Sequence, residues 1–251
     1  LSTEGPKLAV ADVNNDGLED FFMGGAEGDT AKLFIQKKNG TFLQSKQYAF
    51  VQDKNSEDVG AVFFDVDNDE DKDLIVATGG NEPVNARSSY IRLYVNDGKG
   101  NFTRSFKGWP PVSLNASCVC TGDVDGDGKP DVFVGARSIP GAYGKTPASV
   151  LLKNMGGGKF IDATQVLAPE LLKAGMVTDA KIADVDNDGK NELIIAGDWM
   201  PVTIYKWQSN QLKKFLEITN SSGWWNCLIV ADINNDGKPD LIAGNNGLNS
   251  K

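Results

Sequence analysis

The 251-residue chain contains no histidine. Histidine is therefore excluded as a general base, a nucleophile's partner or a zinc ligand, and any catalysis would have to use carboxylates, Lys, Arg, Tyr, Ser or Cys. Cysteine is nearly absent too. Cys118, Cys120 and Cys227 form no C-x-x-C pattern and are odd in number, so they read as small buried strand residues. No apolar run approaches the ~20 residues of a membrane span. No basic tract interleaves with aromatics, which argues against a nucleic-acid partner. The opening "LSTEGPKLAVADV" shows neither the basic nor the apolar region of a signal peptide. The chain enters its first repeat almost at once and ends just inside its fifth, so it reads as a fragment or processed form, and secretion stays open.

What is present in abundance is one acidic stretch. "ADVNNDGLED" at residue 11 returns as "FDVDNDEDKD" at 64, "GDVDGDGKPD" at 122, "ADVDNDGKNE" at 183 and "ADINNDGKPD" at 231. The first aspartates, Asp12, Asp65, Asp123, Asp184 and Asp232, are spaced by 53, 58, 61 and 48 residues. The recurring positions hold 18 of the 34 acids, and the remaining acids are outnumbered by 25 Lys and Arg. The net charge of -9 is therefore a property of the repeats, and five divalent cations would bring the chain close to neutrality.

Short Val-, Ile- and Phe-rich runs bounded by glycine flank each copy, for example "VGAVFFDV" before and "DLIVATGG" after the second. They read as buried strands, so each acidic loop joins the two strands of a hairpin. Two further strand-like runs follow in every full repeat, separated by turn signals such as Asn39-Gly40 and "NDGKGN". Four antiparallel strands per 48–61 residues predict an all-β protein, a β-propeller with one acidic loop in the first hairpin of each blade. The expected blades are residues 7–58, 59–115, 116–177 and 178–222, with a half blade at 223–251.

Carboxylates this close repel unless a cation neutralises them, and calcium takes six to eight oxygens. The pattern D-x-[DN]-x-D-G-x-x-[DE] offers side-chain oxygens at positions one, three, five and nine and a backbone carbonyl at seven. The predicted ligands are Asp12, Asn14, Asp16, Leu18 and Asp20; Asp65, Asp67, Asp69, Asp71 and Asp73; Asp123, Asp125, Asp127, Lys129 and Asp131; Asp184, Asp186, Asp188, Lys190 and Glu192; and Asp232, Asn234, Asp236, Lys238 and Asp240. An EF-hand would need an acid at position twelve and flanking helices. Met23, Val76, Val134, Ile195 and Ala243 stand there instead, each inside a strand-like run. Glu70 replaces the position-six glycine in the second copy, at a cost on the order of 1 kcal/mol if its φ is positive. The expectation is about five calcium ions with a structural role, such that replacing Asp125 and Asp127 weakens the third blade only when calcium is present.

The loop pattern between two strands, in blade-length repeats across nearly the whole chain, resembles the FG-GAP and VCBS repeat families. These include the integrin α propeller and bacterial surface proteins, and "NSSGWWN" and "GNNGLNSK" are more similar to the bacterial chains. The resemblance implies calcium binding and an extracellular or cell-envelope location, a bacterial surface first. Its members usually close with seven blades, more than the four and a half encoded here.

Loops alternate between the two ends of an antiparallel blade, so the end opposite the acidic loops is the expected ligand face. It carries Arg87, Trp109, Arg137, Tyr143, Trp199 and Trp225, the residue types that dominate binding hot spots. The expected function is a binding or scaffold module for a protein or glycan. The alternative is a carbohydrate-active enzyme such as a propeller polysaccharide lyase, for which Tyr143 with Arg137 or Lys145 is the one local group available.

Overall fold

The computed structural model describes residues 7–80 and 90–247. The chain is all-β, built of antiparallel sheets whose strands follow one another in sequence. The first sheet is β1 (Leu8–Ala11), β2 (Asp20–Met23), β3 (Lys32–Gln36) and β4 (Phe42–Ser45), in that order. A short helix α1 (Tyr48–Gln52) leads to the second sheet, β5 (Asp58–Phe64), β6 (Asp73–Thr78), β7 (Arg92–Asn96) and β8 (Phe102–Ser105). The third is β9 (Ala116–Gly122), β10 (Asp131–Ala136), β11 (Val150–Asn154) and β12 (Phe160–Asp162), followed by α2 (Thr164–Leu167) and a 3-10 turn, Pro169–Lys173. Each sheet is a four-stranded meander like a propeller blade. Every residue of "DLIVAT" in β6 and "DVFVGA" in β10 is buried, which is why these strands are continuously apolar rather than alternating.

The fourth sheet departs from expectation. β13 (Met176–Ala183), β14 (Glu192–Met200), β15 (Thr203–Gln208) and β16 (Gln211–Glu217) form the meander, but β14 outruns its partner β15. Its last residues pair instead with β17 (Gly223–Ala231), Asp198 opposite Trp224 and Met200 opposite Gly223. With β18 (Asp240–Asn245) this makes a six-stranded sheet. Trp199, expected on a loop of the ligand face, thus lies inside a strand, at a register shift between Asp198 and Met200, with φ +60°. A tryptophan in that region is strained.

The chain forms two compact units, Leu1–Ala116 with Met155–Ile161, and Ser117–Asn154 with Asp162–Lys251. In the first, Phe22, Leu33, Phe50, Leu74, Tyr94 and Phe102 are buried together, with Phe50 edge-on to Phe22 and Tyr94 at 5.4 and 5.0 Å. In the second, Phe133, Leu151, Leu171, Val177, Leu193, Ile195 and Leu212 form the main core. The strands of successive blades come close there. A Cβ on Gly135 would lie 2.5 Å from Cys118 Sγ and 2.8 Å from Val177, so only glycine fits. Cys118 and Cys120 are buried as expected, but Cys227 is exposed. Val177 covers Cys118 from the next blade; among the described residues no later strand does the same for Cys227.

Candidate metal loops and a surface cluster

The five acidic loops share one hydrogen-bonded frame. The position-one aspartate accepts the position-six N–H on one oxygen: Gly17 to Asp12 at 2.7 Å, Glu70 to Asp65 at 3.0 Å, Gly128 to Asp123 at 2.8 Å, Gly189 to Asp184 at 2.9 Å and Gly237 to Asp232 at 2.9 Å. Its other oxygen accepts the position-five N–H at 3.1–3.3 Å. The position-five aspartate in turn accepts the position-seven N–H from Leu18, Asp71, Lys129, Lys190 and Lys238 at 2.9–3.0 Å. Five successive copies thus curl the chain around their own carboxylates.

Position nine is a latch, buried in the first four loops and half-buried in the fifth. One oxygen of Asp20, Asp73, Glu192 and Asp240 accepts the N–H of position two, from Val13, Val66, Val185 and Ile233, at 3.0–3.1 Å. The other oxygen of Asp20, Asp73 and Asp131 accepts an N–H from the third strand, from Gln36, Asn96 and Asn154, at 2.8–2.9 Å. The acid therefore fastens the loop to the sheet. Each oxygen keeps a second lone pair, so the latch does not preclude ligation.

In three loops, carboxylate oxygens gather within 4.8 Å of one another: Asp65, Asp67 and Asp73; Asp123, Asp125 and Asp127; Asp184, Asp186 and Glu192. In loops 1 and 5 position three is Asn14 or Asn234, and no such acidic triad is gathered there among the described residues. The charge is answered differently in different loops. Among the described residues no ion pair to Asp73 is formed; burial, then repulsion from Asp67 and Asp69, push it up to about 7 against the lowering by its two backbone hydrogen bonds. In loop 3 burial raises Asp131 only to about 6, because the Asn154 N–H and the Lys153 ammonium pull it down. Burial would also raise Asp127, but hydrogen bonds from Lys153 and Lys129 outweigh it and bring it to about 2. Hard oxygen donors gathered this closely fit a divalent cation such as calcium.

At the opposite end of the blades a second cluster forms. Arg137, just past β10, donates from Nε to Asp198 Oδ2 at 2.8 Å, and Tyr143 Oη lies 3.3 Å from the same oxygen. Asp198 is 2% exposed, and its Oδ1 has no hydrogen-bond partner among the described residues. Next to it Trp199 is 70% exposed, its ring 5.2 Å from that of Trp224.

Matches to known repeats agree with this frame. The FG-GAP-like repeat matches residues 12–76, 65–134 and 184–243, and the FG-GAP repeat matches 119–150. The chain belongs to the FG-GAP repeat family. No curated protein matches it. Among solved structures, a chain in the cryo-EM structure of RAG in complex with one melted RSS and one unmelted RSS is similar at 14% identity, over 92% of this chain and 72% of that one, with a TM-score of 0.53. That likeness shows the fold alone. FG-GAP repeats usually form propellers and often bind calcium, and the acidic clusters here could hold a metal.

Of the residues predicted for the ligand face, the FG-GAP blades bring Arg137 and Tyr143 together on Asp198, while Trp199, its neighbour in sequence, meets Trp224. Trp109 and Trp225 are used internally. The Trp109 indole donates to the Ile91 carbonyl at 3.1 Å and its ring meets Phe160 at 5.1 Å, while Trp225 donates to the Ser221 carbonyl at 2.7 Å. Arg87 lies outside the described residues. Lys145 is exposed, its N–H closing a turn on Ala142. Two features of the FG-GAP loops escaped the sequence reading. Position four also has positive φ, at Asn15, Asn68, Gly126, Asn187 and Asn235, the residue types that tolerate it. Its restriction to Asn and Gly was the available signal. The second is the residue facing the position-nine acid across the sheet, Lys153 in blade 3 and Lys206 in blade 4. No helix is long and apolar enough to cross a membrane among the described residues.

Proposed function

We propose that this FG-GAP chain is a calcium-stabilised, extracellular binding module whose ligand surface centres on Asp198. The observation that carries the ligand surface is the convergence of Arg137 and Tyr143 on one buried carboxylate beside the exposed, strained Trp199. An exposed indole face next to an anchored charged pair suits a glycan. The C–H face of a sugar stacks on the ring, and its hydroxyls meet the guanidinium, phenol and carboxylate. Strain at Trp199 is retained only where surroundings enforce it, and such positions gather at ligand sites. Calcium bound in the loops at the other end would cancel the repulsion between carboxylates and tie the two inner strands of each blade. Loops of this kind outside cells work at ~0.1–1 mM calcium, which supports a location outside the cytosol, with a bacterial cell envelope as the first choice. Seven-blade closure with further repeats is part of the same reading.

The test is a glycan and protein array probed with the intact chain in calcium and in EDTA. The expected result is glycan binding that Trp199→Ala and Arg137→Ala each weaken ~10-fold or more. Binding unchanged by both variants, or confined to proteins, would overturn the glycan surface. The Tyr143–Arg137 juxtaposition also keeps the lyase reading in view. Shortening of a bound polysaccharide, lost in Tyr143→Phe, would favour it.

A further inference from the structure

Antiparallel register sets one residue of the third strand opposite each position-nine acid. Phe21 pairs with Phe34 and Leu74 with Tyr94, which brings Ile35 opposite Asp20 and Val95 opposite Asp73. Val132 pairs with Leu152 and Leu193 with Tyr205, which brings Lys153 opposite Asp131 and Lys206 opposite Glu192. The position is apolar in blades 1 and 2 and cationic in blades 3 and 4.

Both lysines reach into their loops. Lys153 Nζ is 2.7 Å from Asp125, 2.8 Å from Asp127 and 3.5 Å from Asp131, on a side chain 11% exposed. Lys206 Nζ pairs with Asp186, and lies 3.2 Å from Glu192 and 3.4 Å from Asp188, on a side chain 13% exposed. The Phe215 ring, 5.0 Å away, adds a cation–π contact that holds it there. Each ammonium is ion-paired with the same carboxylates that would coordinate a metal.

We propose that Lys153 and Lys206 are built-in counter-ions that keep loops 3 and 4 folded without metal, so that among the four loops with a described third strand the calcium requirement is concentrated in loops 1 and 2. This rests on the reading of the loops as calcium sites. An ammonium supplies one charge where calcium supplies two, but it is covalently attached and always present. For calcium to enter loop 3 or 4, the lysine must leave three carboxylates, and its mutual repulsion with the ion weakens binding.

Calcium stoichiometry by native mass spectrometry, affinity by calorimetry and melting with and without EDTA, all on the intact chain, test this. Lys153→Met and Lys206→Met should each raise calcium affinity at their own loop ~10-fold or more and lower the melting temperature in EDTA. The reverse change, Val95→Lys, should cost loop 2 its calcium and make blade 2 less sensitive to EDTA. Silencing loop 2 with Asp65→Asn and Asp69→Asn identifies its ion. Loops 3 and 4 binding calcium as tightly as loop 2 in the wild type, with both lysine variants unchanged, would overturn the counter-ions alone. No calcium bound by wild type or variants would overturn the calcium reading with them. Should a lysine variant fail to fold even in calcium, Val95→Lys decides: an unaltered loop 2 contradicts the proposal.

Discussion

Loops 2 and 3 place acids at the same four positions and share one hydrogen-bonded frame, but their electrostatics differ. In loop 2 the carboxylates of Asp65, Asp67 and Asp73 face one another with Val95 behind them, and Asp73 holds its proton up to about 7. In loop 3 Asp125 and Asp127 close on the ammonium of Lys153, and Asp127 stays ionised down to about 2. Lys153 on a neighbouring strand, together with Lys129 inside the loop, supplies loop 3 with the positive charge that loop 2, with Val95 and Asp71 at the equivalent positions, is short of. The motif states that a cation is wanted; its surroundings determine where the cation comes from.

The sharpest way to break the comparison is to remove the carboxylates from each loop. In loop 3, Asp125→Ala with Asp127→Ala leaves a nearly buried ammonium with only Asp131, and stability should fall by about 3 kcal/mol with or without calcium. The motif alone predicts a loss only in calcium, so melts in EDTA separate the two accounts. Asp67→Ala with Asp69→Ala in loop 2 should instead relieve repulsion in EDTA and be destabilising only in calcium.

A smaller effect is expected from chelation. At ten times the dissociation constant each bound calcium adds ~1.4 kcal/mol, and its loss should lower the melting temperature by about 3–6 °C per site. Hydrogen exchange should then quicken in β5–β7 more than in β9–β11. Equal acceleration in both blades would erase the distinction between them.

Next is the pH dependence of the calcium-free chain. Asp73 has a raised value in the fold, about 7 against an ordinary 3.8, so the folded state binds its proton more tightly than the unfolded state does. Stability should therefore fall as pH rises from about 4 to about 7 and level off above, and Asp73→Asn should flatten that slope. Asp131, at about 6, should contribute over a window that closes roughly one unit earlier. Calcium should remove the Asp73 slope, and a slope unaltered by Asp73→Asn would contradict the assignment.

The smallest expected effect isolates backbone from charge. Glu70 has φ +70° where the other four loops have glycine. Glu70→Gly should stabilise the chain by ~0.5–1 kcal/mol, in EDTA as in calcium. A gain seen only in calcium would mean that Glu70 acts through the metal site.

The sequence by itself determined the repeat, the hairpin around each acidic loop and the curl of the loop. All of these follow from spacing within about ten residues: Gly or Asn at nearly every position where φ is positive, aspartate where its oxygens reach N–H groups four and five residues on, and apolar runs long enough for one strand. Tertiary structure decided what lies across the sheet. Lys153 and Val95 hold equivalent places opposite a buried acid, and register over more than twenty residues brings them there. It also turned residues 198–200 into a strand end paired with β17, turned Trp225 onto the Ser221 carbonyl, and set Arg137 and Tyr143 on Asp198, 61 and 55 residues away. A local motif records only the forces its own residues exert on one another. Partners that neutralise a charge or strain a tryptophan are chosen by strand pairing between distant segments, and are visible only once the sheets are assembled.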